Sequence, residues 1–351
     1  MQPPGTPSLG LTFLSAYEAT GSPFLLQAAR DAAGALMWGQ LACGGWDHKI
    51  DFDPVQSRHW YYRRDKEAGR AAVNGQRNQG TFDDNTSQHA LRLLISVDKA
   101  LGFKDEELHH AARYGLQFVL NAQFPNGAWP QRWPLWPKHF SAYYTFNDNA
   151  INDYISVMLQ AYIIYGDERY FTAVKKGGDF IILSQLPKPQ AGWAQQYDWD
   201  MRPGWARVFE PPACNASVTP HNIATLMALY RATKDDRYLA PIPAAFEWLQ
   251  ASRLGNGKWA RFYELETNRP LYVTKDDEVV YVYDDRTRPG YSWQGDYGIE
   301  RTIAEYEALT GDIAAGKVQW TIPPPSPESR TAQELRAELD RLVGACGAGG
   351  N

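Results

Sequence analysis

"AYIIYGDERYFTAVKKGGDFIILSQL", residues 161–186, is the stretch that decides the fold. An apolar run ends at Tyr165, a Gly166-Asp167 turn follows, and a second run closes on Leu186. Apolar residues in that second run, Phe180, Ile181, Ile182 and Leu186 among them, fall at three- and four-residue steps. That is helical periodicity, not strand alternation. The same plan recurs in "AYEATGSPFLLQAARDAAGALMWGQL" (16–41) and "LYRATKDDRYLAPIPAAFEWLQAS" (229–252). A fourth copy, "LLISVDKALGFKDEELHHAARYGLQFVLNAQF" (93–124), has a slightly longer turn.

Each helical hairpin leads toward a glycine-tryptophan element: Gly45-Trp46, Gly127-Ala128-Trp129, Gly192-Trp193 and Gly257-Lys258-Trp259. The Trp-to-Trp steps are 83, 64 and 66 residues, which sets a repeat of about 65 residues. One hairpin cannot bury its apolar face alone, so the units must pack side by side. Few repeats with long, chemically rich connections predict an all-α fold. Its form is an α/α toroid, an incomplete barrel of helical hairpins. Long loops and short irregular strands then form a site at one end. Gly177-Gly178 marks close packing or a kink, and Pro241 and Pro243 suit the first turn of a helix. The toroid is expected over residues 5–320. Residues 321–351 read as a Pro-rich linker, "PPPSPES", a short charged helix, "RTAQELRAELDRLV", and a mobile end.

A hydrophobic content of 44% in 351 residues allows a large core, and no run of 18 apolar residues is present to span a bilayer. A net charge of −5 with interspersed signs argues against a nucleic-acid partner. The three cysteines, Cys43, Cys214 and Cys346, fit neither a disulfide framework nor a metal-ligand spacing. Thirteen Trp and twenty Tyr serve either buried structure or a cleft whose flat faces stack on a ligand. The first residues lack the basic and apolar regions of a signal peptide. An intracellular protein or one whose export signal has been removed are both consistent with this.

Two motifs carry acidic chemistry: "TFDDNTS" (81–87) before a helix expected from Gln88, and "TFNDNAIND" (145–153) before one expected from Tyr154. A single Asp there is ordinarily a helix cap. Two copies of Thr-Phe followed by three Asp/Asn residues exceed what capping needs. At one end of a ring, their oxygens suit a hard cation such as Ca²⁺. The basic residues are patterned too. "WARVFEP" (205–211) and "WARFYELETNRP" (259–270) place Arg207 and Arg261 alike, each with a glutamate three positions on, Glu210 and Glu264. Arg269, Arg286 and Arg288 follow. Structural ion pairs are one account; the other is an acidic ligand, because the guanidinium fork matches carboxylates. Carboxylates, a cation, arginines and aromatics together indicate an anionic sugar polymer.

At these residues the chain resembles the pectate lyases of polysaccharide lyase family 10, the pectic acid lyase family, from about Gly45 to Gly298. The motifs that carry the resemblance are "TFDDNTS", "NGAWPQRWPL", "TFNDNAI", "ARVFEP", "ARFYELETNRPLY" and "RPGYSWQGDYG". The resemblance implies an α/α toroid and Ca²⁺-dependent β-elimination of polygalacturonate to 4,5-unsaturated oligogalacturonates. It implies Asp148 as calcium ligand and an Asp of "TFDDN" joining calcium and substrate. Asp83 aligns better by its distance to the helix, with Asp84 as the alternative. Arg207 is then the Brønsted base, with Arg269 and Arg288 as ligands of the substrate carboxylate. Arg261, Asp84, Asn147, Trp129 and Tyr291 complete the expected substrate-binding set. The chain departs from the family at "DDNTS" and at Arg132-Trp133, which bear on subsite detail. A polymeric plant substrate implies a secreted or periplasmic protein, expected to act as a monomer without a membrane partner. Two competing readings remain. One is a glycoside hydrolase using Asp198 and Glu210 as acid and base. The other is a non-catalytic binder of acidic glycans.

Overall fold

The computed structural model describes residues 1, 3–319 and 321. The expected linker, charged helix and end (321–351) lie outside the described residues, apart from residue 321. Four hairpins appear where the repeat placed them. They are α1 (Thr6–Thr20) with α2 (Pro23–Trp38), and α4 (Thr86–Ala100) with α5 (Glu106–Ala122). α6 (Ala150–Tyr165) with α7 (Glu168–Leu183), and α8 (Thr219–Thr233) with α9 (Ile242–Ala251), follow. A short α3 (Arg63–Glu67) lies in the first excursion, and α10 (Ile299–Ala315) ends the described chain.

The first helix of each hairpin packs on the first helix of the next, in the order α1, α4, α6, α8 and then α10. The second helices form an outer layer. Among the described residues no extensive packing joins α10 back to α1, so the ring is incomplete. Glycines allow the layers to approach. A Cβ on Gly177 would stand 2.7 Å from the Ile155 side chain, and one on Gly178 would stand 2.6 Å from Leu229. The paired glycines therefore mark close packing.

The repeated tryptophans are the pins of this architecture. Trp46, Trp129, Trp193 and Trp259 are buried. Each indole N–H donates to a carbonyl near the end of the preceding outer helix: Leu36 (2.8 Å), Val119 (2.9 Å), Ile181 (2.7 Å) and Leu249 (2.6 Å). A buried indole needs such a partner. The bond fixes where the chain turns out of the helix. Trp129, which was expected in the substrate-binding set, is instead a core residue. Its ring is wholly buried, with its one donor spent on Val119. Tyr197 is likewise a core residue, its hydroxyl donating to the Ser184 carbonyl at 2.6 Å.

Between outer and inner helices the excursions pair as short antiparallel strands. β1 (Gly80–Thr81) pairs with β2 (Arg132–Trp133), and β3 (Tyr144–Thr145) pairs with β4 (Gln196–Tyr197). β5 (Cys214–Asn215), β7 (Phe262–Tyr263), β8 (Pro270–Val273) and β9 (Val279–Val280) form one sheet. β6 (Trp259–Ala260) pairs with β10 (Gln294–Gly295). The first three excursions each find a strand partner in the next one, through β1–β2, β3–β4 and β5–β7, so adjacent units are stitched together; the fourth pairs within itself through β6–β10.

Candidate active site

Two equivalent turns bring the acidic residues together. Thr81 and Thr145 end β1 and β3. Their Oγ1 atoms accept from the backbone N–H two residues on, at Asp83 (3.2 Å) and Asn147 (3.1 Å). Both turns then pass through two left-handed residues. These are Asp84 (φ 51°) and Asn85 (φ 54°) in one, Asp148 (φ 47°) and Asn149 (φ 61°) in the other. Asp and Asn tolerate that region better than other side-chain-bearing residues. The helices consequently start at Thr86 and Ala150, earlier than the sequence pattern indicated. Neither Asn85 nor Asn149 caps its helix through the side chain. The shared Thr-Phe-x-Asp-Asn pattern therefore encodes a turn, and it makes Asp84 the counterpart of Asp148.

The two turns pack against each other. Carboxylate oxygens of Asp83, Asp84 and Asp148 all lie within 4.8 Å of one another. Burial, then the charges of Asp83 and Asp84, push the Asp148 carboxyl up to about 7. Burial and Asp83 raise Asp84 as well, against the opposing pull of His48 and Arg207. Asp83 Oδ1 and Asn85 Oδ1 are buried acceptors without a hydrogen-bond partner. Crowded carboxylates beside unpartnered acceptors fit a hard cation, which prefers oxygen ligands. Asn147 is 5% exposed and donates Nδ2 to Asp148 Oδ2 at 2.6 Å. It was expected to touch substrate; instead its amide is spent on positioning Asp148.

The basic residues gather beside this cluster. Arg207 grips Glu210 through Nε (2.8 Å) and an η nitrogen (2.6 Å), and its backbone N–H donates to the same carboxylate at 3.1 Å. Glu210 is 2% exposed, whereas the Arg207 side chain is 49% exposed. Tyr291 also donates its hydroxyl to Glu210, at 2.9 Å. Glu210 therefore draws the Arg207 pKa upward, against burial. Burial alone would raise the Glu210 pKa, yet Arg207 holds it below the usual carboxylate range.

Aromatic faces tie three arginines together. The Arg207 and Arg288 guanidiniums lie 4.9 Å and 4.6 Å from the Phe209 ring centre. Arg261 lies 4.6 Å from the centre of Tyr291, and its charge acts on Asp148. Arg288 is paired with Asp277. Arg269 stacks on Tyr281 at 3.4 Å, on the part of the chain that follows β7. Tyr291 has its hydroxyl occupied by Glu210 and its ring faced by Arg261, so it braces the arginines.

The fold and this cleft define a class: an α/α toroid with carboxylates and arginines assembled at one end by its inter-helix excursions. The profile of the pectic acid lyase family matches residues 40–258 and 252–301. The chain belongs to the pectic acid lyase family and is a polysaccharide lyase. Among solved structures it is similar to a family 10 polysaccharide lyase from Cellvibrio cellulosa, with a TM-score of 0.63 and 24% identity. That match covers 86% of this chain and 96% of the other. An aspartate-to-alanine mutant of the Cellvibrio protein, in complex with trigalacturonic acid, matches at the same TM-score and identity over 87% of this chain and 98% of that one. No curated protein matches the chain.

Neither carboxylate of the hydrolase alternative stands as a protonated acid ready for a sugar oxygen. Glu210 is kept ionised and covered, and Asp198 Oδ1 accepts from the backbone N–H groups of Asp200 and Arg202, both at 2.9 Å. Phe209 and His48 were missed. Phe209 lies inside "ARVFEP", between the two partners of an ion pair. His48 stands two residues after Trp46, where Gln131, Gln195 and Arg261 stand after the other three tryptophans. Reading that repeat position across all four units would have found it.

Proposed function

We propose that the chain is a calcium-dependent pectate lyase that cleaves α-1,4-linked polygalacturonate by β-elimination. The observation that carries this reading is the convergence of Asp83, Asp84 and Asp148 from two successive units, with Arg207 beside them. Asp148 and Asp83 would hold the calcium ion, with Asp84 on the substrate side. Bound there, the ion supplies positive charge that stabilises the developing enolate of the uronate. Arg261, Arg269 and Arg288 hold substrate carboxylates as planar cationic forks.

Arg207 takes the proton from C5. The C5–H bond breaks, a C4–C5 double bond forms, and the C4–O bond breaks, its oxygen leaving with a proton from solvent. Glu210 aims the guanidinium but opposes its deprotonation, so the base role depends on the surrounding positive charge to lower its pKa. The catalytic unit is residues 5–320, acting as a monomer and secreted or periplasmic, where a cell-wall polymer is met.

The test is an assay on polygalacturonate with and without a chelator, repeated on Arg207→Ala. Ultraviolet-absorbing unsaturated product, lost with chelator and in the variant, is expected. Reducing ends without that absorbance would replace elimination by hydrolysis. A chain ending at residue 320 should keep the activity.

A further inference from the structure

His48 acts on Asp84 as Arg207 does, and it lines a cleft that includes neither Arg207 nor Glu210. β2 places Arg132 opposite Thr81, two residues before Asp83. An η nitrogen of Arg132 lies 3.0 Å from His48 Nε2. The Arg132 guanidinium is thus bonded to an imidazole rather than to an acid, and among the described residues no carboxylate pairs with it. His48 Nδ1 is buried without a partner.

Arg132 and His48 line a cleft of about 770 Å³ together with Lys49, Arg77, Asn78 and Asp47. Its only carboxylate is already engaged. Asp47 Oδ2 accepts from the Trp60 indole at 2.8 Å and lies 3.8 Å from Arg77, while Oδ1 accepts from the His48 N–H at 2.8 Å. The buried Trp60 ring also carries both outer cations, Lys49 at 5.3 Å and Arg77 at 5.4 Å. The side chains of Lys49 and Arg77 remain 64% and 66% exposed, although Lys49 Nζ is also paired at 3.2 Å with Asp51, which lies outside the cleft lining. The cleft is thus cationic, open and built on a rigid ring.

We propose that the Arg132–His48–Lys49–Arg77 cleft is a distal uronate-binding arm that receives carboxylates of the same polymer several sugars away from the cleaved bond. This rests on the proposed pectate lyase reading. Arg132 supplies the forked contact, and Lys49 and Arg77 form the exposed rim. An acidic polymer lying across the carboxylate cluster then meets cations on both flanks. Longer chains bind better because they reach the second flank.

Oligogalacturonates of two to eight sugars are titrated calorimetrically, with calcium, against Arg207→Ala protein, alone and combined with Arg132→Gln or Lys49→Glu. Steady-state kcat/KM is measured over the same lengths with Arg207 intact. Affinity should rise with length in the parent. Arg132→Gln should weaken octamer binding about tenfold, the scale of one lost charge-assisted contact, and trimer binding by less than about threefold. Lys49→Glu alters an exposed side chain and keeps the test open if the Arg132 variant does not fold; it should flatten the length dependence in the same direction. Unchanged length dependence in a folded variant, with unsaturated product still formed by the parent, overturns the arm and leaves the lyase standing. A parent that neither cleaves nor binds polygalacturonate overturns both.

Discussion

A guanidinium that must give up its proton is poorly served by a carboxylate 2.6 Å away, and Arg207 has such a neighbour in Glu210. The pair gives a sharp test of the base assignment. Removing the Glu210 charge takes away the largest influence raising the Arg207 pKa. If Arg207 is the base, the rise of kcat with pH should move to lower pH in Glu210→Gln, because the deprotonated guanidine is then reached sooner. Profiles of kcat between about pH 8 and 11 read this directly. An unmoved profile would make Arg207 a fixed cation and send the search for the base elsewhere. Arg207→Ala should lower kcat by about 10²–10⁴, the usual contribution of a general base. Tyr291→Phe removes only the hydroxyl bond to Glu210 and should leave stability within about 1.5 kcal/mol of the parent.

At the scale of elements, the excursions depend on the glycines and tryptophans that start them. Gly127 has φ +95°, and a Cβ there would sit 1.9 Å from the Lys176 carbonyl oxygen in α7. Gly127→Ala should therefore cost roughly 2–3 kcal/mol in denaturant unfolding. Gly34 lies inside α2, and a Cβ added there would meet nothing within 4 Å. Gly34→Ala should raise stability by about 0.5–1 kcal/mol through helix propensity alone. The hairpins were legible because apolar spacing reports burial directly, and the Gly-Trp repeat exposed the unit length. The role of Trp129 was not legible, since a motif fixes a residue's place in the chain but not the side its ring faces. The left-handed Asp84–Asn85 and Asp148–Asn149 pairs were also hidden. Asp and Asn before a helix read equally as caps, and only backbone dihedrals separate the two. The Arg207–Glu210 pair was visible in its i, i+3 spacing, but its burial, which reverses the pKa argument, was not.

For the whole molecule, the acidic cluster joins two successive units, because Asp83 and Asp84 precede α4 whereas Asp148 precedes α6. Anything bound among the three carboxylates clamps one repeat to the next. In the absence of a cation the Asp148 carboxyl holds its proton up to about pH 7, against an ordinary value of 3.8. Between those values the folded chain retains a proton that the unfolded chain has released. Raising the pH through that window therefore lowers stability, with the loss complete above about pH 7. Calcium acts in the opposite sense, since it binds the ionised carboxylates. At a hundredfold excess over Kd it should stabilise the fold by about 2.7 kcal/mol, and by less at pH 5, where protons compete. Thermal melts at pH 5 and pH 8, each with chelator and with calcium, check this. The melting temperature with chelator should fall from pH 5 to pH 8, and the gain on adding calcium should be larger at pH 8. Asp148→Asn should sharply reduce both responses, because it removes the group with the largest upward displacement in the cluster and a ligand of the clamp. A calcium gain equal at the two pH values, or undiminished in Asp148→Asn, would place the cation outside the junction of the two repeats.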